Sequence, residues 1–304
     1  MAMAASASLY SYAQQINQNF SGIEEIEIST GSSDCVLKKG SGTDVNVKLQ
    51  HTRGENFKPT VRQSGSKLMI SEDNQGNNRG EATWTLSIPD GLEVSLNTGS
   101  GDFEAADLEV ELSLNAGSGD FELENLKGAV ETNAGSGDLE IDTFAGRLHS
   151  NVGSGDLEVA NVTGDIKLNA GSGDMELSNI HAQIDANVGS GDIEANKIIV
   201  SGKSQFNSGS GDVEIVLGES LKHDITVNSG SGDASLDFNG NEIDGMVTMT
   251  ANKHNGDIEA PFAFDKEEEI NNGDHTTIKK TARLGTGSVK IKVGTGSGTA
   301  SIGN

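Results

Sequence analysis

The chain has 304 residues, 40 of them glycine and three proline, with aromatic residues at 4%, so no large aromatic core organises it. A net charge of −25 excludes binding to a nucleic-acid backbone, because phosphates need Lys and Arg to displace their counterions. The single cysteine, Cys35, excludes an internal disulfide and a cysteine zinc cluster, and no apolar run is long enough for a membrane-spanning helix.

Residues 1–13, "MAMAASASLYSYA", are small, uncharged and alanine-rich, and end in Ser11-Tyr12-Ala13 before Gln14. They look like the end of a secretory signal peptide, so an extracytoplasmic location (periplasm, cell surface or secreted) is expected. Residues 14–95 form an expected N-terminal β cap. They carry worn copies of a later theme, "STGSSDCVL", "KKGSGTDVNVKL" and "QSGSKLMIS", broken by the polar "EDNQGNNRGE". Such a cap shields the open end of a repeat array. In "GSSDCVL", Cys35 takes the place of Phe103 in "GSGDFEA", which makes it a buried apolar position.

Residues 96–260 are dominated by self-similarity. "GSGD" occurs eight times, with its aspartate at Asp102, Asp120, Asp138, Asp156, Asp174, Asp192, Asp212 and Asp233, and a weaker "NGD" at Asp257. The first five spacings are 18 residues, followed by 20, 21 and 24. Strict alternation in "DLEV" and, nine residues on, "DIKL" is the period of a strand with one buried face. Glycine, Asp and Asn between these strands supply turns. Each unit is therefore strand, turn, strand, turn. Stacked units give an all-β, parallel, β-roll-like solenoid of two-strand coils with strands about 4.8 Å apart. A triangular hexapeptide helix fails, since apolar residues six apart from Leu157 land on Thr163 and Asn169.

The expected interior is Phe103, Phe121, Leu123, Leu139, Ile141, Leu157, Val159, Met175, Leu177, Ile193, Val213 and Ile215 from first strands. Second strands add Leu112, Leu114, Val130, Leu148, Ile166, Leu168, Ile184, Phe206, Ile225 and Val227. Leu108, Leu126, Phe144, Val162, Ile180 and Ile198 recur in the second turn. Asn97, Asn115, Asn133, Asn151, Asn169, Asn187, Asn207 and Asn228 are expected to stack as an amide ladder. Residues 261–304 hold "DKEEEINNGDH", an expected exposed acidic loop, and "LGTGSVKIKVGTGSGTASI", expected closing strands.

"FSGIEEIEIST", "LSIPDGLEVSLNTGSGD", the serial Ser-Gly-Asp strand units and the final "GTGS" element resemble the bacterial "putative adhesin" family, a head GIN-related domain of unknown function. The resemblance spans roughly residues 20–302. It implies a right-handed β-helical solenoid in an extracytoplasmic, often cell-envelope, protein, and leaves activity undefined.

Asp and Glu two apart on a strand point the same way, so Asp120, Glu122, Asp138, Glu140, Asp156, Glu158, Asp174 and Glu176 form a candidate acidic column. Adjacent carboxylates at strand spacing repel by about 1 kcal/mol even at the dielectric of water, which calcium could relieve through a row of hard oxygen donors. The other reading is structural. Asp turns into the glycine corner to accept backbone N–H bonds, and Glu stays solvated and keeps the sheet soluble. The six histidines fall in different coils or loops, and no nucleophile elbow appears. The expected function is a non-enzymatic surface scaffold or binding module for a cell-surface glycan or protein. The alternatives are a calcium-dependent module and a polysaccharide-acting β-helix enzyme. Neither the ligand nor the oligomeric state is legible.

Overall fold

The computed structural model describes residues 14–74, 80–273 and 275–304; the signal-like residues 1–13 lie outside them. Among the described residues there are 25 strands and no helix. Through the regular region one coil follows another in parallel and in register. Phe121 pairs with Leu139, Leu139 with Leu157 and Leu157 with Met175, which is the 18-residue period of the sequence converted into a stack. Every residue expected in the interior is buried. Burial of one aliphatic side chain per pleat contributes about 1.5–3 kcal/mol, and the repetition makes that sum large without a broad aromatic core.

In the column that holds Leu114, two neighbouring coils depart from the apolar rule. Thr132 and Ser150 replace Leu114 and Leu168 in the interior column and are fully buried. The Thr132 hydroxyl donates to Ser150 Oγ at 2.7 Å, so adjacent coils satisfy each other where one hydroxyl alone would be stranded.

The second corner is made by a left-handed residue. Asp107, Asn125, Thr143, Asn161, Asn179 and Lys197 all have φ between 50° and 60°. Asn and Asp tolerate that region, whereas a β-branched residue is strained in it. Asn125 donates to Asp107 Oδ1 at 2.6 Å and Asn179 to Asn161 Oδ1 at 2.7 Å. Between them Thr143 breaks the ladder, and Asn161 reaches Asp142 Oδ1 instead. Thr143→Asn is therefore expected to stabilise the protein by about 1 kcal/mol. A melting temperature that stays level or falls would refute the strain at this corner.

The ends are less simple than a cap beside a stack. Glu25–Thr30 and Asp34–Lys39 form a true coil, parallel to Leu92–Thr98 and Phe103–Ala106 on one side. On the other side they pair with Lys67–Asn74 and Ala82–Ile88, which come later in the chain. Antiparallel strands Phe57–Ser64, Val45–His51 and Gln14–Phe20 then extend that end. The far end repeats the device. Lys290–Thr295 and Gly298–Gly303 slot between Ile225–Ser229 with Ala234–Asp237 and Gly245–Asn252 with Gly256–Glu259. The expected closing strands are thus an inner coil. Their "GTGSGT" puts Gly296 and Gly298 over Gly230 and Gly232, continuing the glycine corner, which an outermost strand would not need. Where an acidic loop is expected, Lys266–Asn272 and His275–Leu284 form an antiparallel hairpin. Cross-strand pairing of Glu267 with Lys280 offsets part of its charge.

Cys35 is 1% exposed, as its place in the repeat requires. Burial pushes its thiol well above the usual range, with Glu72 and Asp34 adding to the effect. The folded state therefore keeps the proton while the unfolded chain loses it above about pH 8.5. Stability contributed this way is complete below that pH and is lost as pH rises toward the folded value. In paired denaturant titrations, wild type should lose more stability than Cys35→Ala above about pH 9, and the two should run parallel below about pH 8.

Candidate functional site

The repeated corner and the strand after it produce two columns on one exposed face. In the corner, a Cβ on Gly171 would lie 2.5 Å from the Gly153 carbonyl oxygen, so the coils touch backbone to backbone there. The aspartate then bridges coils. The Asp138 amide donates to Asp120 Oδ1 at 2.9 Å, Asp156 to Asp138 at 2.8 Å, Asp174 to Asp156 at 2.8 Å and Asp192 to Asp174 at 2.9 Å. The series begins at Asp34, which accepts from Asp102, and ends at Asp233, which accepts from Thr299. One oxygen of each of these carboxylates is thus committed to holding the next corner.

The glutamates differ. Glu122, Glu140, Glu158 and Glu176 pair directly across the sheet, are exposed, and have no hydrogen bond or ion pair among the described residues. In the candidate column the aspartates thus bond the next corner, while the glutamates stand exposed in register on the strand that follows. A shallow recess of about 340 Å³ is lined by Asp102, Glu104, Asp120, Glu122, Asp138 and Glu140. Among the described residues no three or more His, Cys, Asp or Glu side chains come together as metal ligands.

A second face carries the asparagine ladder. Asn115 donates to Asn97 at 3.2 Å, Asn133 to Asn115 at 3.1 Å, Asn151 to Asn133 at 2.9 Å and Asn169 to Asn151 at 3.0 Å. It continues through Asn187 and Asn207 to Asn228. From Asn115 onward the amides are half-buried, and the ladder edges an uncharged groove of about 1010 Å³ that runs along the axis, floored by Ala116, Ala134, Val152 and Ala170. The second ladder, through Asn125, Asn161 and Asn179, is not anticipated from the sequence. Its signal is the same 18-residue recurrence of Asn or Asp, read ten residues after the first.

A family model described as Toastrack DUF4097 matches residues 23–259. The chain belongs to this family. The Toastrack match agrees with the expected domain of unknown function and carries no head GIN relation. Two solved structures are similar to the Toastrack chain. A putative cell adhesion protein from Clostridium sporogenes ATCC 15579 is 14% identical, with 95% of this chain and 98% of that chain covered and a TM-score of 0.25. A putative adhesin from Bacteroides fragilis NCTC 9343 is 12% identical, with 95% and 97% covered and a TM-score of 0.36. No curated protein matches the chain.

Proposed function

We propose that this Toastrack protein is a non-enzymatic, extracytoplasmic β-solenoid that serves as a rigid surface scaffold or binding module. The observation that carries the reading is the commitment of the repeated GSGD unit to coil stacking. Its glycines allow backbone contact, and its aspartates bond the next corner. What remains for a partner is two long regular faces. A catalytic cleft needs convergent groups held in a concave site, and the free glutamates stand in a row on an exposed sheet instead. The test is to present purified protein to an array of cell-envelope glycans and surface proteins while assaying the same glycans for cleavage. Binding without turnover supports the scaffold; turnover abolished by Glu140→Gln with Glu158→Gln would replace it with a glycan-cleaving enzyme.

Calcium use by the acidic column is the second reading, favoured by the glutamates that have no counter-charge. Under the scaffold reading, calcium and magnesium at matched ionic strength raise the melting temperature equally and slightly, by screening alone. A calcium-specific rise of many degrees would make cations part of the fold.

A further inference from the structure

Four strands pair on one side only among the described residues: Gln14–Phe20, Phe57–Ser64, Gly256–Glu259 and Lys266–Asn272. Each leaves a row of backbone N–H and C=O groups open to another chain, a hazard that proteins suppress with charges, proline or shortness. Three of the four do so. Phe57–Ser64 carries Lys58, Pro59 and Arg62; Gly256–Glu259 is four residues long with Asp257 and Glu259; Lys266–Asn272 has Lys266, Glu267, Glu268 and Glu269. Gln14–Phe20, "QQINQNF", is seven residues long without charge, proline or glycine.

The open strand is also held in shape. Asn46 on the neighbouring strand donates to Asn17 Oδ1 at 3.0 Å and to Asn19 Oδ1 at 2.8 Å, while Ile16 and Phe20 pack against the core. Gln18 is exposed between them. An edge that is amide-rich and uncharged, in a chain of net charge −25, is compatible with a copy of itself. Antiparallel pairing about a two-fold axis sets amide against amide and brings no like charges together. It also joins the molecules end to end, which keeps their acidic columns far apart.

We propose that the Gln14–Phe20 edge is a self-association site, through which two copies of this chain pair antiparallel into an end-to-end dimer. This goes beyond the proposed function, since it uses the end of the solenoid and leaves both long faces free. One edge buries less surface than a standard stable interface, so the dimer is weak, with a dissociation constant of about 0.1–1 mM.

Sedimentation velocity on the full chain tests it. The dimer fraction should rise with protein concentration and also with salt, because salt screens the repulsion between two acidic bodies. Gln18→Lys, at an exposed position, should keep the melting temperature and lower the association constant at least about tenfold. Gln18→Glu should do the same, and an equimolar mixture of the two variants should restore association. A wild type that stays monomeric at every concentration and salt overturns the proposal. So does a dimer undiminished in both single variants, or one that dissociates in salt, which would indicate ion pairing between the charged surfaces.

Discussion

Gly173→Ala is expected to cost about 2–5 kcal/mol and to open the stack between the coils it joins. Gly173 has φ near 116°, a region L side chains avoid at a cost of about 1–2 kcal/mol. A Cβ there would also lie 2.6 Å from the Gly155 carbonyl carbon and 3.0 Å from Asp156 Oδ1, and relief of such overpacking costs about 1–3 kcal/mol more. The same Asp156 oxygen accepts from the Asp174 amide, so any shift that makes room weakens the bridge between coils. Repeat arrays derive their stability from nearest-neighbour interfaces, so amides of the flanking coils should lose hydrogen-exchange protection before those at the ends. Ser172→Ala, at the exposed position between the two glycines, should stay within about 0.5 kcal/mol of wild type. Equal effects at Ser172 and Gly173 would sink the stacking account of the motif.

Arg53→Met should be comparably severe, at about 3–5 kcal/mol, for a different reason. In a regular corner the backbone is satisfied by the preceding coil, as when the Ser100 amide donates to the Gly31 carbonyl at 2.9 Å. At the coil that begins the glycine column a buried ion pair meets the corner, with Arg53 and Glu72 side chains 3% and 0% exposed and 3.5 Å apart. Glu72 accepts from the Gly31 amide at 3.3 Å and from Trp84 Nε1 at 2.7 Å. Arg53 donates to the Ser32 carbonyl at 2.6 Å and lies over the Phe57 ring. Removing the guanidinium leaves a carboxylate buried beside an unsatisfied carbonyl. The double variant Arg53→Met with Glu72→Gln removes the stranded charge and keeps one acceptor oxygen, for either Trp84 Nε1 or the Gly31 amide, and should recover part of the loss. Because Trp84 is the only tryptophan, its fluorescence follows this end of the solenoid directly. A double variant less stable than the single one would refute the role of charge compensation.

The regular coils were legible because each apolar residue recurs at a fixed spacing and meets its own equivalent. Leu139 packs where Phe121 and Leu157 do, so one unit predicts its neighbours. The asparagine ladder was legible for the same reason. The dual reading of the GSGD aspartate was not resolvable from alternation alone, since a carboxylate pointing outward can either face solvent or curl onto the next amide. That choice depends on how closely the coils approach, and the two glycines set the approach. Thr132 and Ser150 are not legible in the sequence, because each hydroxyl looks like a defect until its partner 18 residues away is placed beside it.

What the sequence by itself determined is the coil: its period, its buried columns, its corners and the acidic face that repetition copies outward, all of them consequences of local pairing between consecutive units. The order of coils at the ends belongs to the tertiary structure alone. Residues 25–39 and 290–303 are inserted between segments that are consecutive or nearly so along the chain. Such pairings join residues about 40 to 70 positions apart, and local spacing holds no record of them. They arise because an outermost coil must cover its open backbone and its core with whatever strand the rest of the chain can supply.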